Sequence, residues 1–557
     1  MNGYFFQNGS TFVINSQGKK HKLCEEIHVT EVKKNISTGK SSISVSIACK
    51  DGPTDCIMSR GDLAGNFYSK LTACGLSMVA TVANKCALQE ILLNSEKIAN
   101  RIYMHDWLGY RINGTDIDFY GAIGEKDGVK SEYSHAEKVA SKGTFEDWLS
   151  KVKPLVAKKP ELVIGMAFGA SAPVAALLKL AGKNSEVPIW GLVGESSKGK
   201  TSTLLLAASV WGVPTNTGLI ENFNGTQKYI YASLAEKFGF PSFYDETSAQ
   251  PAWDFTQMVY KISTGNSGGK CASDGSVVQP FTWMGSFTFT GEKSILEQSN
   301  KNKGLFARVL EFDYEWTSDK KMAEEIATLV HESYGTAYQP FVSELDRYGL
   351  NLQKKYESIQ HKLEEILKPK GNVAQRIINK LAILYTTIVV IDESWGLEVD
   401  RKKVLKLLKE SYEKNIPKLS NAEAAYDCIK EYISTHANMF PEENGRHTFG
   451  HNAQQGELST RGDRKCAWIL DGVFHKILES AGINLSSSDY KEMREKKMME
   501  YFGDRYKKSH KMSGMSVKCV CILLGDIEEK DKDNKDADSN SIKLNTLKGS
   551  KRNLLLA

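Results

Sequence analysis

No two of the ten cysteines stand in C-x-x-C spacing, and Cys519–Val520–Cys521 has no second pair nearby to complete a zinc site. That pattern predicts free thiols in a reducing cytoplasm rather than disulfides or a metal centre. Arg446, His447 and His451 share a polar stretch without H-E-x-x-H spacing, so no zinc site is expected there either. The opening residues, MNGYFFQNGSTF, lack a basic region followed by an apolar one, so no signal peptide is evident. An excess of one charge is missing too. A net +5 over 557 residues is near neutrality, so any surface for nucleic acid must be local. There is no internal repeat.

Long apolar runs are also scarce. The exception is LVIGMAFGASAPVAALL, residues 162–178, which is uncharged and close to spanning length. Its two glycines, its mid-run Pro173 and its place just before a glycine-rich loop predict a buried strand or helix beside a nucleotide core. No membrane partner is expected.

What is present fits a globular chain, 41% hydrophobic and 25% charged, long enough for roughly three or four domains. Residues 1–124 carry short apolar runs (TFVI, SISVSIAC, SMVATVA) and predict an α+β domain. It closes on WLGYRINGTDIDFYGAIG, where N-G between alternating apolar residues predicts a hairpin. The Lys-rich stretch 125–160 reads as a linker. Strand-like and helix-like runs alternate over 161–318, as an α/β core requires. Residues 319–439 read as a helical lid or bundle, and 440–525 as a small mixed domain with a helix (GVFHKILESAG) and a late strand (VKCVCILL). The tail, 526–557, starts acidic, ends basic and is expected to be disordered.

The chemistry begins at GLVGESSKGKTSTLLL, residues 191–206. Gly194, Gly199, Lys200 and Thr201 satisfy G-x-x-x-x-G-K-[ST] between an apolar β-run, PIWGLV, and a helical run. Such a loop aims backbone N–H groups and a helix N-terminus at phosphates. Gly194, Glu195, Ser196, Ser197, Lys198, Gly199, Lys200, Thr201 and Ser202 form the expected ATP cradle. Lys200 is expected at the β/γ-phosphates and the Thr201 hydroxyl on Mg²⁺.

Hydrolysis needs more than a cradle. In GFPSFYDETS, Asp245 and Glu246 end an apolar, aromatic run. Asp245 suits the metal's water shell and Glu246 the attacking water; the alternative is an ordinary acidic turn. In QPFTWMGSFTFTGEKS, Thr290 is placed at a strand tip to contact the γ-phosphate or the water, or merely leaves for a loop. In GLFARVLEFDYEW, Arg308 is placed either to reach a neighbouring subunit's nucleotide or to pair with Glu311 or Asp313. Arg376, in NVAQRIINKL, either meets the phosphates from the lid or is a solvated helical arginine.

Together these residues resemble family number 927 among domains of unknown function, found in phage and mobile-element replicative helicases. The similarity covers about residues 60–440, through WLGYR, VGESSKGKTSTLLLAASVWG, ENFNGTQ, FYDETS and the TGE of 290–292. The resemblance implies a P-loop, AAA+-like ATPase whose ATP sites are shared within a ring or spiral, such as a hexamer, acting on single-stranded or forked DNA. It places Asp245 and Glu246 on the family's acid pair and Arg308 on its arginine after the sensor strand.

Residues 491–511, KEMREKKMMEYFGDRYKKSHK, hold eight basic against four acidic residues with Tyr501, Phe502 and Tyr506 between them. This suits phosphate contact and base stacking, or a solvated helix face. With VKCVCILL, the stretch suits a winged-helix-like unit. Two readings follow: an oligomeric ATP-driven DNA translocase or helicase, or an ATP-dependent switch or scaffold working through element-encoded replication or defence partners. A fused primase is disfavoured, since Asp116 and Asp118 form a D-x-D only inside the expected hairpin.

Overall fold

Pro173 sits in the middle of the helix Glu161–Leu180, where it removes the N–H that would bond the carbonyl of Gly169. The Ser286 hydroxyl, from the adjoining strand, donates to that carbonyl at 3.2 Å instead. The helix is apolar on all sides and buried over almost its whole length, as such a helix must be. Its neighbours come very close: a Cβ on Gly165 would lie 2.2 Å from the Thr203 side chain. These observations come from a computed structural model. It describes residues 3–526 except 16, 114–115, 224, 248–254, 298, 300–302, 370, 416–420, 444–453 and 462–463.

The chain divides into two compact units, Met1–Leu419 and Ser420–Ala557. At the centre of the first lies a seven-stranded sheet. Its order is Val309–Phe312, Ile189–Val193, Met284–Gly291, Lys237–Asp245, Leu108–Asn113 and Asp116–Tyr120, with Ile220–Asn222 also paired to Lys237–Asp245. All pairings are parallel except the last hairpin, Leu108–Asn113 with Asp116–Tyr120. The strand Ile189–Val193 is buried at every position, which is why it reads as an unbroken apolar run. Because the strands are parallel, their C-terminal ends share one edge, and the loops leaving that edge can meet.

An amino-terminal sheet with its own core precedes this one, in the order Ile123–Lys126, Val129–Tyr133, Asn100–His105, Ile27–Asn35, Ser41–Cys49 and Gly52–Ser59. The hairpin expected to close that domain forms, but Leu108 and Gly109 pair with Lys237 and Phe238, so it extends the central sheet.

The stretch expected as a linker, 125–160, is built in. Val129–Tyr133 joins the amino-terminal sheet, and Phe145–Lys158 is a helix capped by the Thr144 hydroxyl. Trp148, Val152, Leu155 and Val156 face inward on that helix, a stripe that the intervening lysines disguise. The helix Gly371–Trp395 belongs to the stretch expected as a helical lid or bundle. It packs against Glu161–Leu180 and buries most of its length. Both helices are long and apolar enough to cross a membrane, yet they are buried over 78% and 94% of their most apolar windows.

The second unit takes in the last helix of the expected bundle, Asn421–Thr435, because Ala425, Ile429 and Ile433 pack with Phe440, Phe474 and Ile477. A four-stranded antiparallel sheet follows, in the order Gly456–Arg461, Arg464–Leu470, Met515–Asp526 and Lys507–Met512. Helices Asp471–Ser480 and Ser487–Glu495 lie between its second and third strands in sequence. Arg446, His447, His451 and the tail beyond Asp526 lie outside the described residues.

Candidate functional site

The loop 194–199 leaves the C-terminal end of Ile189–Val193 and enters the helix Lys200–Ser209 through Gly199. Gly194 and Gly199 have φ of 127° and 81°, and a Cβ there would lie 2.3 Å from Asp313 Oδ1 and 2.4 Å from Thr317 Oγ1 respectively. Only glycine meets both conditions. The loop is tied down on its outer side, where Lys198 Nζ donates to Asp313 Oδ1 at 2.8 Å and Trp316 N to Lys198 O at 2.8 Å. Lys200 Nζ turns inward and donates to the carbonyls of Gly194 at 2.8 Å and Glu195 at 2.7 Å. Burial lowers the Lys200 pKa, against the opposing pull of Glu292 and Glu246.

The acids arrive from two strands away. Met284–Gly291 lies between Ile189–Val193 and Lys237–Asp245, with Leu192 opposite Thr290 and Tyr244 opposite Phe289. Thr290 therefore stands between the loop strand and Asp245. Its hydroxyl donates to Asp245 Oδ1 and accepts the Glu246 N–H at 3.0 Å. On its loop side, Asp245 Oδ1 also accepts from Thr201 Oγ1 at 3.4 Å. Glu246 holds a left-handed φ of 63°, strained for a side chain of its type by about 1 kcal/mol. Such a conformation persists where neighbours fix it, and the Thr290 hydroxyl is one of them.

Lys200, Thr201, Asp245, Glu246 and Thr290 thus converge on one edge of the sheet. Sequence reasoning left Glu292 without a role, yet it accepts a hydrogen bond from the loop hydroxyl of Ser196. Its place directly after the strand Met284–Gly291, in the same T-G-E run as Thr290, was the available signal.

Arg308 and Arg376 lie elsewhere. Arg308 immediately precedes the edge strand Val309–Phe312, and Val309 pairs with Ile189, so it stands at the opposite end of the sheet from the loop. Arg308 Nη1 donates to Gly304 O at 2.7 Å and its guanidinium covers the Tyr260 ring at 4.3 Å, while its buried Nε has no hydrogen-bond partner among the described residues. Neither Glu311 nor Asp313 is its partner. Glu311 accepts from Ser294 and from the Ile295 N–H, and Asp313 holds Lys198.

Arg376, which the sequence offers to the phosphates from the lid or as a solvated helical arginine, makes its described ion pair elsewhere. It is paired with Glu186, just before the loop strand, and Lys380 shares that carboxylate at 2.6 Å. Burial raises the Glu186 pKa, but the charges of Lys380, Arg376 and Arg308 outweigh it and hold the carboxyl below its ordinary value.

The donor set at the loop edge consists of a hydroxyl and a carboxylate beside a lysine and backbone amides. All of its metal-facing atoms are hard oxygens, which suits Mg²⁺ rather than a thiophilic ion. Among the described residues no cluster of three or more His, Cys, Asp or Glu is placed to hold a metal alone.

The whole chain resembles a solved structure described as "SCCmec type IV Cch - active helicase". The TM-score is 0.73 over 94% of this chain and 97% of that one, at 18% identity, which establishes a shared fold. A second structure, the apo C-terminal region of NrS-1, aligns over 88% of this chain and 96% of that one at 11% identity, with a TM-score of only 0.27. No curated protein matches. Residues 420–526 match the family model described as "Cch helix turn helix domain". A second family model, Domain of unknown function (DUF927), matches residues 6–282. That stretch starts earlier and ends sooner than the similarity over 60–440 suggested, so Thr290, Arg308 and Arg376 lie beyond it. It includes the phosphate loop and both acids. Over residues 6–282, just under half of its length, the chain is similar to the DUF927 family.

Proposed function

We propose that this protein is an ATP-driven DNA translocase of the helicase type, from a phage or mobile element, working as a ring or spiral with ATP hydrolysed between subunits. The observation that carries the reading is the hydrogen-bonded line Thr201–Asp245–Thr290–Glu246 beside the loop lysine. The strand order supports it as well. An extra strand between the loop strand and the acid strand, ending in a polar residue, is the AAA+-like arrangement.

Thr201 and Asp245 would hold Mg²⁺, and the ion, when bound, neutralises charge developing on the phosphates. Lys200 binds the β/γ-phosphates from inside the loop. Glu246 orients the attacking water and takes its proton as the bond to the γ-phosphorus forms and ADP leaves. Thr290 fixes the directions of both acids, one through its hydroxyl proton and one through the Glu246 amide. Arg308, at the far end of an edge strand, would serve the next subunit's nucleotide, and we extend that role to it alone, not to Arg376.

The carboxy-terminal unit supports the DNA part. The helices Asn421–Thr435, Asp471–Ser480 and Ser487–Glu495 and the hairpin of Lys507–Met512 with Met515–Asp526 support reading it as a winged-helix-like unit, and the structure sharing the fold is described as an active helicase. The test is ATP hydrolysis with and without forked or single-stranded DNA, together with strand displacement. Stimulation with displacement supports the reading. A rate indifferent to DNA, with no displacement, rejects it in favour of an ATP-dependent switch or scaffold.

A further inference from the structure

The helix Ser487–Glu495 occupies the place of a reading helix, but its charge does not suit DNA. It carries two basic and three acidic residues. Its side chains are also engaged within the domain. Asp489 closes a capping box with Ser486, and Tyr490 stacks on Tyr506 with centroids 4.2 Å apart. Arg494 lies 3.8 Å from Asp504 and covers the Tyr501 ring at 5.0 Å.

The hairpin behind it has the opposite character. Residues 505–518, RYKKSHKMSGMSVK, hold five basic residues and no acid. Arg505, Lys508, Lys511 and Lys518 are exposed. The strand Lys507–Met512 is an edge strand of its sheet, and Lys518 stands opposite Ser509, so it shares a face with Lys511 while Lys508 lies on the other face of the same edge. A cleft of about 710 Å³ runs along that edge, lined by Phe502, Asp504, Arg505, Lys507, Lys508 and Lys518 among others, four cations to one acid. Phe502 is held rigidly at its mouth, stacked on Trp468 at 5.8 Å with the Arg461 guanidinium 5.4 Å and the Lys508 ammonium 4.8 Å from its ring centroid. Trp468 is itself stacked on His510 at 4.2 Å.

We infer that the hairpin 505–518, and not the helix Ser487–Glu495, is the DNA-contacting element of the carboxy-terminal domain. It grips the sugar-phosphate backbone without reading sequence. Clustered cations in clear excess over acids, with Lys508, Lys511 and Lys518 exposed, supply counterion release, the sequence-independent part of DNA affinity. A helix with more acidic than basic residues supplies little of it. This inference rests on the DNA-acting reading above and names the surface that reading requires.

The test uses the full chain and a fluorescein-labelled forked oligonucleotide, with affinity read by anisotropy across a salt series. Lys508→Ala/Lys511→Ala/Lys518→Ala is expected to weaken binding at least about 10-fold and to flatten the slope of log K against log salt by about 2 to 3, at 0.7–0.9 per lost phosphate contact. Lys491→Ala/Arg494→Ala is expected to change affinity less than about twofold, and a probe of scrambled sequence to bind equally well. Thermal midpoints check folding. If the triple variant is destabilised, single Lys→Gln replacements, each flattening the slope by just under about one, answer the same question. The inference is overturned if the helix variant loses as much affinity as the hairpin variant, if neither loses any, or if scrambling the probe abolishes binding. A wild-type chain that binds no DNA instead rejects the underlying reading.

Discussion

The Thr290 hydroxyl is a donor to Asp245 and, at 3.0 Å, an acceptor for the Glu246 amide, so one side chain sets the direction of both acids. Thr290→Val keeps the shape and removes both bonds. ATP affinity is expected to stay within about threefold, while kcat falls about 10- to 100-fold, the range for losing a group that orients the reacting side chains from behind. Thr290→Ser is expected to recover most of the rate. Steady-state hydrolysis beside equilibrium nucleotide binding checks this, and an equal loss in both would make Thr290 a binding residue only.

Lys200→Ala and Glu246→Gln separate binding from chemistry. Removing the loop lysine is expected to abolish hydrolysis and weaken ATP binding together. Glu246→Gln preserves the backbone that the Thr290 hydroxyl holds and removes the carboxylate, so ATP is expected to stay bound and unhydrolysed, with kcat down at least about 100-fold. Measuring retained nucleotide after gel filtration distinguishes the two variants. Rapid release from Glu246→Gln would count against its role.

The shared-site claim concerns Arg308. Arg308→Ala is expected to bind ATP normally and to lose hydrolysis by about 1,000-fold or more, as for other arginines supplied across an interface. Mixing it with Glu246→Gln subunits creates interfaces in which an intact Arg308 faces an intact Glu246, so activity is expected to return in part. Mixtures shown to contain both subunits, yet remaining inactive, would refute the sharing.

The sequence reveals the loop and the acids because their chemistry is local. The run from Gly194 to Ser202 and the pair Asp245–Glu246 each lie within a few residues on one strand end. Thr290 is legible for the same reason. The ion pair of Arg376 is not legible, because its partner Glu186 lies far away in the chain, just before another strand. The helix Phe145–Lys158 was hidden by composition, since its lysines dominate the stretch although Trp148, Val152, Leu155 and Val156 turn inward. The hairpin Leu108–Tyr120 was visible as a hairpin, but its sheet was not, because pairing to Lys237 and Phe238 is a long-range choice.

Glu186 yields a stability prediction with a pH signature. Lys380 is buried, and Glu186 is the carboxylate that compensates its charge, at 2.6 Å. Glu186→Gln leaves that ammonium buried without a counter-charge and is expected to cost about 3 kcal/mol at neutral pH. Because the Glu186 pKa is held below its ordinary 4.5, its contribution is present above that value and is lost as pH falls through the folded-state pKa. The gap in unfolding free energy between wild type and Glu186→Gln is therefore expected to be widest near pH 7 and to narrow below about pH 4.5. Urea melts across that range measure it. A gap unchanged at low pH would mean that packing, not charge, holds the cluster. The double variant Glu186→Leu/Lys380→Met sharpens the case, since replacing both partners with apolar side chains removes the buried charge instead of stranding it. It is expected to be more stable than Glu186→Gln alone and to show almost none of the pH dependence.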